Sequence, residues 1–404
     1  MKAVIHVLGL VLHGQEVMVE AWTVCAIDMS DGVKDGVTDC GGETMPSPRI
    51  KIYMMKIKMR LGVAVICAVV VMLAPSCRRD AADDKHFAVE KDLKAEYVDI
   101  SELLQINNIF MLEDYLVLQN TSEAVDDFFF VYSYPEMDFL YSFAKRGRGP
   151  GEYMMPGLIK NTKGNILGLR DHATDILAFY EITGSGAVPA GSSRFSSPDN
   201  DRFFWEINSM GDSLFLVKHQ GDRRGATELW DYARGCVVDS IPNTFDRLPK
   251  KLGRGYYTIF DDYMVSANGN RFAVAYFMID RIETGEVSAG EIIRISDIGS
   301  STAPDFYLYG KNETDHFNVD RNIVYYENLY AGKNSIYALY SHDRLDNTEK
   351  NHSRQMEVYS WELEPLMKLH LEYPVAYFTV DESSRIIYGV NPELFPDKLL
   401  VYKY

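Results

Sequence analysis

The chain is predicted to be an all-β protein, a six-bladed β-propeller whose last blade is closed by a strand from near the N-terminus. Three observations predict this fold. Short runs rich in Val, Ile, Tyr and Phe alternate with Gly, Asn and Asp, which is typical of strands and turns. About four such runs recur every 40 to 50 residues. The last repeat ends one strand short.

Six repeats can be traced along the sequence. In order, they cover residues 109–143, 158–180, 203–241, 256–295, 322–371 and 376–402. A lone predicted strand, Glu96–Ile100, precedes the first repeat and would close the ring by pairing with Leu399–Tyr402, which leaves no long exposed sheet edge. A pair of β-sandwiches would space its turns similarly but gives no reason for a short last repeat. A propeller of seven blades is a further alternative.

Residues 54–77 have the pattern of a secretory signal. Lys56, Lys58 and Arg60 form a basic start, Leu61–Ala74 carries no charge, and a small residue, Ser76, precedes Cys77. A cysteine directly after a small residue resembles the lipobox of bacterial lipoproteins, which implies that Cys77 is lipidated and becomes the first residue of the mature protein.

An uncleaved membrane anchor is the alternative to a lipidated cysteine. Arg78 and Arg79 follow the apolar run, but the run is shorter than the roughly 20 residues that span a membrane. Either interpretation tethers the chain to a membrane by its N-terminus. Residues 1–53 are expected to be a non-structural extension, with translation starting at Met54, Met55 or Met59, and residues 78–86 a flexible tether before a propeller over 87–404.

Charge and cysteine content exclude some classes of function. Acidic residues outnumber basic ones by 17, and the segment before Cys77 is balanced, so the whole excess lies in the mature part. Such a surface repels a phosphate backbone, so nucleic acid is not an expected partner. Only Cys77 and Cys236 lie in the mature chain, which therefore has no disulfide framework, and Cys236 is expected to be a buried small side chain.

The most distinctive local sequence is Lys145–Tyr153, in which three alternating glycines surround Arg148 and Pro150. Together with the closing repeat and the lipobox, it resembles the TolB-like six-bladed propeller lipoproteins of Bacteroidetes. The resemblance extends from Phe87 to Tyr404. It implies a propeller in the cell envelope and carries over no catalytic residue.

Two groups of residues are candidates for a binding site. Arg146, Arg148 and Glu152 would face a ligand at a blade junction, where guanidinium groups hold a carboxylate or a sugar acid. The alternative is a connector whose charges pair with neighbouring blades. Asp171 and His172 follow a predicted strand of the second repeat and would face the channel, although Asp is also an ordinary turn residue.

The sequence favours a membrane-anchored, extracytoplasmic binding module of unknown ligand, placed by the residues after Cys77 at the outer membrane. An envelope protein or a glycan is the expected partner, besides the membrane itself. No histidine spacing indicates a metal site, so no cofactor is expected. The alternative is a metal-assisted hydrolase or lactonase that uses the central channel.

We predict that Cys77→Ala releases the protein from membranes, because it removes the atom that would carry the lipid. Detergent partitioning of cell extracts measures the effect. Cys67→Ala, within the apolar run, is the matched control and should leave partitioning unchanged. Equal partitioning of the Cys77→Ala and wild-type proteins would contradict the lipid anchor.

Overall fold

The structure is a computed structural model that describes residues 85–100, 105–194, 203–211, 213–220, 227–241, 263–300, 322–347 and 352–404, and the strand backbones of 5–13 and 16–24. The chain divides into two compact units, Met1–Cys77 and Arg78–Tyr404. In the first unit, β1 (Ile5–His13) and β2 (Glu16–Val24) pair as an antiparallel hairpin. The lipidation candidate Cys77 lies outside the described residues.

The described residues of the second unit lie mostly in short strands. In chain order these are β3 (Glu90–Leu93), β4 (Ala95–Asp99), β5 (Ile106–Met111), β6 (Tyr115–Asn120), β7 (Asp127–Ser133), β8 (Phe139–Lys145), β9 (Pro156–Lys160), β10 (Ile166–Asp171), β11 (Ile176–Thr183), β12 (Gly186–Arg194), β13 (Phe203–Ser209), β14 (Leu214–Gln220), β15 (Thr227–Asp231), β16 (Cys236–Ile241), β17 (Tyr263–Asn268), β18 (Arg271–Tyr276), β19 (Arg281–Ser288), β20 (Glu291–Gly299), β21 (Ile323–Ala331), β22 (Ile336–Arg344), β23 (Ser353–Tyr359), β24 (Pro365–Val375), β25 (Tyr377–Asp381), β26 (Ile386–Val390) and β27 (Lys398–Lys403).

These strands form six four-stranded antiparallel blades. Blade 1 is β5–β8, blade 2 is β9–β12, blade 3 is β13–β16, blade 4 is β17–β20, and blade 5 is β21–β24. Blade 6 combines β25–β27 with β4, which pairs antiparallel to β27 so that Tyr97 lies opposite Leu400. The predicted fold class and the closure by Glu96–Ile100 are confirmed.

The core lies between the blades. Middle strands such as β6, β10, β15 and β18 are buried almost throughout, because a neighbouring blade covers each of their faces. Outer strands such as β16 alternate between exposed and half-buried residues. One apolar cluster joins Ile109 and Phe130 of blade 1 to Tyr388 and Leu399 of blade 6, so the ring is closed by packing as well as by pairing.

Four details of the sequence prediction differ from the structure. The outer strand of blade 2, β12, was not assigned, because its Gly, Pro and Ser residues lack an apolar pattern. In blade 4, the prediction missed β19, and its first strand, Tyr256–Phe260, lies outside the described residues. Strand β3 was not predicted; it adds in parallel to β24 at the outer edge of blade 5. Cys236 is exposed rather than buried, because it begins the outer strand β16.

The segment Lys85–Asp99 forms a strap across blades 5 and 6. Phe87, Leu93 and Ile100 along or just after this strap are nearly fully buried. Lys85 is also held: its ammonium group donates to the hydroxyl of Tyr326 at 2.6 Å and forms an ion pair with Asp280.

We predict that a chain beginning at residue 101 fails to unfold cooperatively, whereas one beginning at residue 85 melts like the chain beginning at residue 78. The shorter chain loses β3 and β4 and the burial of three large side chains, each worth about 1.5–3 kcal/mol, against a typical total stability of about 5–15 kcal/mol. Calorimetry of the three chains measures this. Equal melting temperatures for the chains beginning at 101 and 85 would refute closure by the strap.

Candidate functional site

Polar side chains of the inner strands hydrogen-bond to the inner strand of the next blade. Between blades 3 and 4, the amide of Asn208 donates to Val265 O at 3.3 Å and accepts from Ala267 N at 3.1 Å. Two similar contacts are Ala331 N to Ser266 Oγ at 2.9 Å, between blades 5 and 4, and Asn328 Nδ2 to Ala376 O at 3.2 Å, between blades 5 and 6. The channel wall is therefore polar because these groups hold the blades together.

A cavity of about 430 Å³ opens where the inner strands of blades 1, 2 and 3 meet. Among the described residues, its lining consists of Asn107, Asn108, Gln119, Thr121, Phe128, Arg146, Met154, Met155, Pro156, Gly157, Leu158, Lys160, His172 and Glu206. We call this space the mouth cavity. Its volume lies within the range of roughly 300–1,000 Å³ that is typical of small-molecule sites.

β-Bulges bring two polar residues to the mouth cavity. The register of β5 against β6 shifts between Ile106 and Asn108, and Asn107 is the extra residue. The register of β13 against β14 shifts between Phe204 and Ile207, and Glu206 lies within this shift. A bulge turns a side chain away from the regular alternation of a strand and is frequent beside functional sites.

Lys160 and Glu206 form an ion pair across the mouth cavity, with Lys160 Nζ 3.5 Å from Glu206 Oε1. The two side chains are 25% and 19% exposed, so they are partly desolvated but still open to solvent. The other carboxylate oxygen, Glu206 Oε2, accepts a hydrogen bond from Val265 N at 2.5 Å. Glu206 is thus fixed in place by blade 4, while its first oxygen faces the cation.

Asn107 has a buried amide oxygen, Oδ1, that forms no hydrogen bond with any described residue. Leaving a buried acceptor unsatisfied costs roughly 1–3 kcal/mol. A rotation of the amide about χ2 exchanges the oxygen and the nitrogen, so this side chain can offer either an acceptor or a donor to a molecule in the mouth cavity.

Part of the remaining wall of the mouth cavity is apolar. Met154 and Met155 are 37% and 55% exposed, and Leu158 lies beside them. Asp171 fixes the backbone of this segment: its carboxylate accepts from Met155 N at 2.7 Å and from Thr174 Oγ1 at 2.8 Å. Exposed methionines on a fixed backbone form a wall that adapts to apolar groups of different shape.

The structure brings two of the predicted site residues, Arg146 and His172, to the mouth cavity. Arg146 is largely occupied by its own blade, since it donates to Val125 O at 3.1 Å and Ser122 O at 3.0 Å and stacks 3.9 Å above the ring of Phe128. His172 packs against the inner strand, where a Cβ at position 157 would lie only 2.7 Å from its Nε2; Gly157 makes room for the ring.

Arg148 and Glu152 lie away from the mouth cavity. Arg148 is exposed and makes no hydrogen bond or ion pair with a described residue. Glu152 folds back over its own loop, where Gly149 N donates to its carboxylate at 2.7 Å and a Cβ at Gly147 would overlap it. Glu152 lines a separate open groove of about 540 Å³ along β11 and β12. Asp171 is nearly fully buried and acts on the backbone, as described above.

A smaller cavity of about 140 Å³ continues the mouth cavity along the channel. It is lined by the inner strands of blades 1, 2, 4, 5 and 6, and it shares Asn108 and Lys160 with the mouth cavity. Sequence reasoning missed Asn107, Lys160 and Glu206, although Glu206 lies within a predicted strand, Lys160 directly follows one, and Asn107 lies two residues before one. A polar residue in an otherwise apolar inner strand was the available signal.

A second polar cluster lies between blades 4 and 5 and is filled by the chain itself. The Lys85 ammonium group lies 3.6 Å from Glu357 Oε2 and about 5 Å from the ring centres of Tyr326 and Tyr340. Burial raises the pKa of Glu357, although Lys85 opposes the shift. The ammonium group in this cluster belongs to Lys85, the first residue of the strap. The cluster therefore fixes the strap in place.

In the part of the chain that the structure describes, no three His, Cys, Asp or Glu side chains come together as a metal-binding group. Within the same residues, no helix is long and apolar enough to cross a membrane.

The family model described as TolB-like 6-blade propeller-like matches residues 103–383. The chain belongs to this TolB-like family. Among solved structures, it is similar to a DUF4221-family protein from Bacteroides vulgatus (14% identity, 79% of this chain and 97% of that one, TM-score 0.48). It is also similar to a Bacteroides fragilis protein described as exported (12% identity, 78% of this chain and 98% of that one, TM-score 0.48). A third similar structure is BamB from Moraxella catarrhalis (10% identity, 76% of this chain and 96% of that one, TM-score 0.39). No curated protein matches the chain.

We predict that two histidines of this TolB-like propeller affect stability with opposite pH dependence. Burial, with Arg170 nearby, lowers the pKa of His172 from 6.5 to about 4, so its contribution to stability is present above pH 6.5 and is lost as the pH falls toward 4. The hydrogen bond to Glu327 raises the pKa of His352 above 6.5, so its contribution is present below pH 6.5 and is lost as the pH rises through the folded-state pKa.

Melting temperatures of His172→Gln and His352→Gln between pH 4.5 and 8.5 test this, each variant serving as the control for the other. The difference from wild type should grow with pH for His172→Gln and shrink with pH for His352→Gln. Parallel curves for the two variants would contradict the assignment.

Proposed function

We propose that this chain is a lipid-anchored, extracytoplasmic binding module of the cell envelope, which holds a small ligand in the mouth cavity. The observation that carries the proposal is the convergence of Asn107, Lys160 and Glu206, from three different blades, on one open space. Bulges in two of the inner strands bring Asn107 and Glu206 there, at the expense of regular pairing.

The size of the mouth cavity supports a small molecule, or the end of a glycan or peptide, rather than a folded partner. Anchoring at Cys77 rests on the sequence of the signal segment, and placement at the outer membrane rests on the residues that follow Cys77. The hydrolase alternative requires carboxylates, Asn or His from several blades around one metal ion. Among the described residues, no three His, Cys, Asp or Glu side chains come together in this way.

A thermal-shift screen of the mature domain against sugars, sugar acids, amino acids and nucleosides tests the proposal. A ligand at 100 times its Kd stabilises the folded state by about 2.7 kcal/mol, which raises the melting temperature measurably. We expect at least one class to raise the wild-type melting temperature but not that of Met155→Trp, in which an indole fills the rim of the mouth cavity.

Leu394→Trp is the matched control, because Leu394 is 52% exposed and is not among the residues that line the mouth cavity. This variant should respond to the ligand as the wild type does. A ligand whose shift survives in Met155→Trp, or a screen in which no class changes the melting temperature, would count against the mouth cavity as a binding site.

A further inference from the structure

We infer that the ligand of the mouth cavity is a zwitterion, a free α-amino acid with an apolar side chain. The inference rests on the proposed function and names the ligand class of the same site. Three features of the lining carry it: a pair of opposite charges, an amide beside them, and apolar side chains on one part of the wall.

The charge pair matches the two charges of an amino acid. Lys160 Nζ and Glu206 Oε1 lie 3.5 Å apart, which is longer than a close charge-assisted hydrogen bond of about 2.7–2.9 Å. An α-amino acid carries its ammonium and carboxylate groups on a single carbon, so its charges are separated by a similar short distance. Its carboxylate would face Lys160 and its ammonium group would face Glu206, exchanging one loose ion pair for two.

The fixed position of Glu206 favours this exchange. Because Val265 N holds Oε2, the carboxylate stays in place when Lys160 turns toward a ligand, and Oε1 remains available to accept a hydrogen bond. A ligand with a single negative charge would pair with Lys160 but would place that charge beside the negative carboxylate of Glu206. A ligand with a single positive charge would pair with Glu206 but would lie beside the positive ammonium group of Lys160. A zwitterion avoids both costs.

The amide and the apolar wall define the rest of the ligand. Asn107 lies in the lining, and its buried Oδ1 has no partner among the described residues; once the amide rotates toward the cavity, it would accept a second hydrogen bond from the ligand's ammonium group. Met154, Met155 and Leu158 offer apolar surface to a side chain such as that of leucine or methionine. A sugar would leave this surface in contact with hydroxyl groups, and the ring of Phe128, on which a sugar could stack, is already covered by Arg146.

Isothermal titration calorimetry with L-leucine tests the inference, with N-acetyl-L-leucine and L-leucinamide as ligands that lack one charge each. We expect L-leucine to bind and each blocked analogue to bind at least tenfold more weakly. Lys160→Met and Glu206→Gln should each weaken L-leucine binding at least tenfold. Gln at position 206 keeps an acceptor for Val265 N, so this variant retains the contact with blade 4.

The matched controls are Lys163→Met and Glu136→Gln, which change exposed residues outside the mouth cavity and should bind L-leucine like the wild type. Equal affinity for L-leucine and its blocked analogues, or unchanged binding by Lys160→Met and Glu206→Gln, would overturn the inference. If sugars bind and L-leucine does not, and Met155→Trp abolishes sugar binding, the zwitterion is wrong while the binding module stands. If no ligand binds at the mouth cavity, both fail.

Discussion

The pairing of β4 with β27 is the interaction on which the rest of the propeller depends. It places the two ends of the propeller on one sheet, with Glu96 opposite Val401, and completes the blade that packs against blade 1. An unpaired β27 would present an open sheet edge, and the contact between blades 6 and 1 would lose its support. The strap strengthens the closure, because β3 covers the edge of blade 5 and Lys85 is held among the carboxylates and tyrosines between blades 4 and 5.

Closure of the ring brings six inner strands around one channel, and this arrangement creates a need for polar side chains. Among the described inner strands, only β9 and β13 pair directly with each other, in parallel, at Ile159 and Ile207. Elsewhere, side chains such as Asn208 satisfy backbone groups of the next blade. The channel lining is therefore suited to hydrogen bonding before any ligand is considered. The mouth cavity adds to this lining the residues that bulges redirect, Asn107 and Glu206.

The strand pattern was largely predictable, and the site largely was not. Alternating apolar runs and turn residues identified most strands, but not β12, whose exposed residues are mostly small or polar. The glycine-rich segment that contains Arg146 was a candidate ligand site, yet the guanidinium group of Arg146 holds the loop between β6 and β7. Lys160 and Glu206 are 46 residues apart, and neither belongs to a local motif. Their proximity follows from blade packing.

The sequence by itself determined the period of the strands and the strand that closes the ring, and it favoured six blades over seven. The period is a local pattern, and the closing strand follows from a last repeat that lacks one strand. The tertiary structure alone decided which polar residues meet at the channel. A bulge of one residue reverses the direction of a side chain, and residues from three blades become neighbours only when the ring is closed. Convergence of this kind is a property of the packed blades, for which a single sequence contains no local signal.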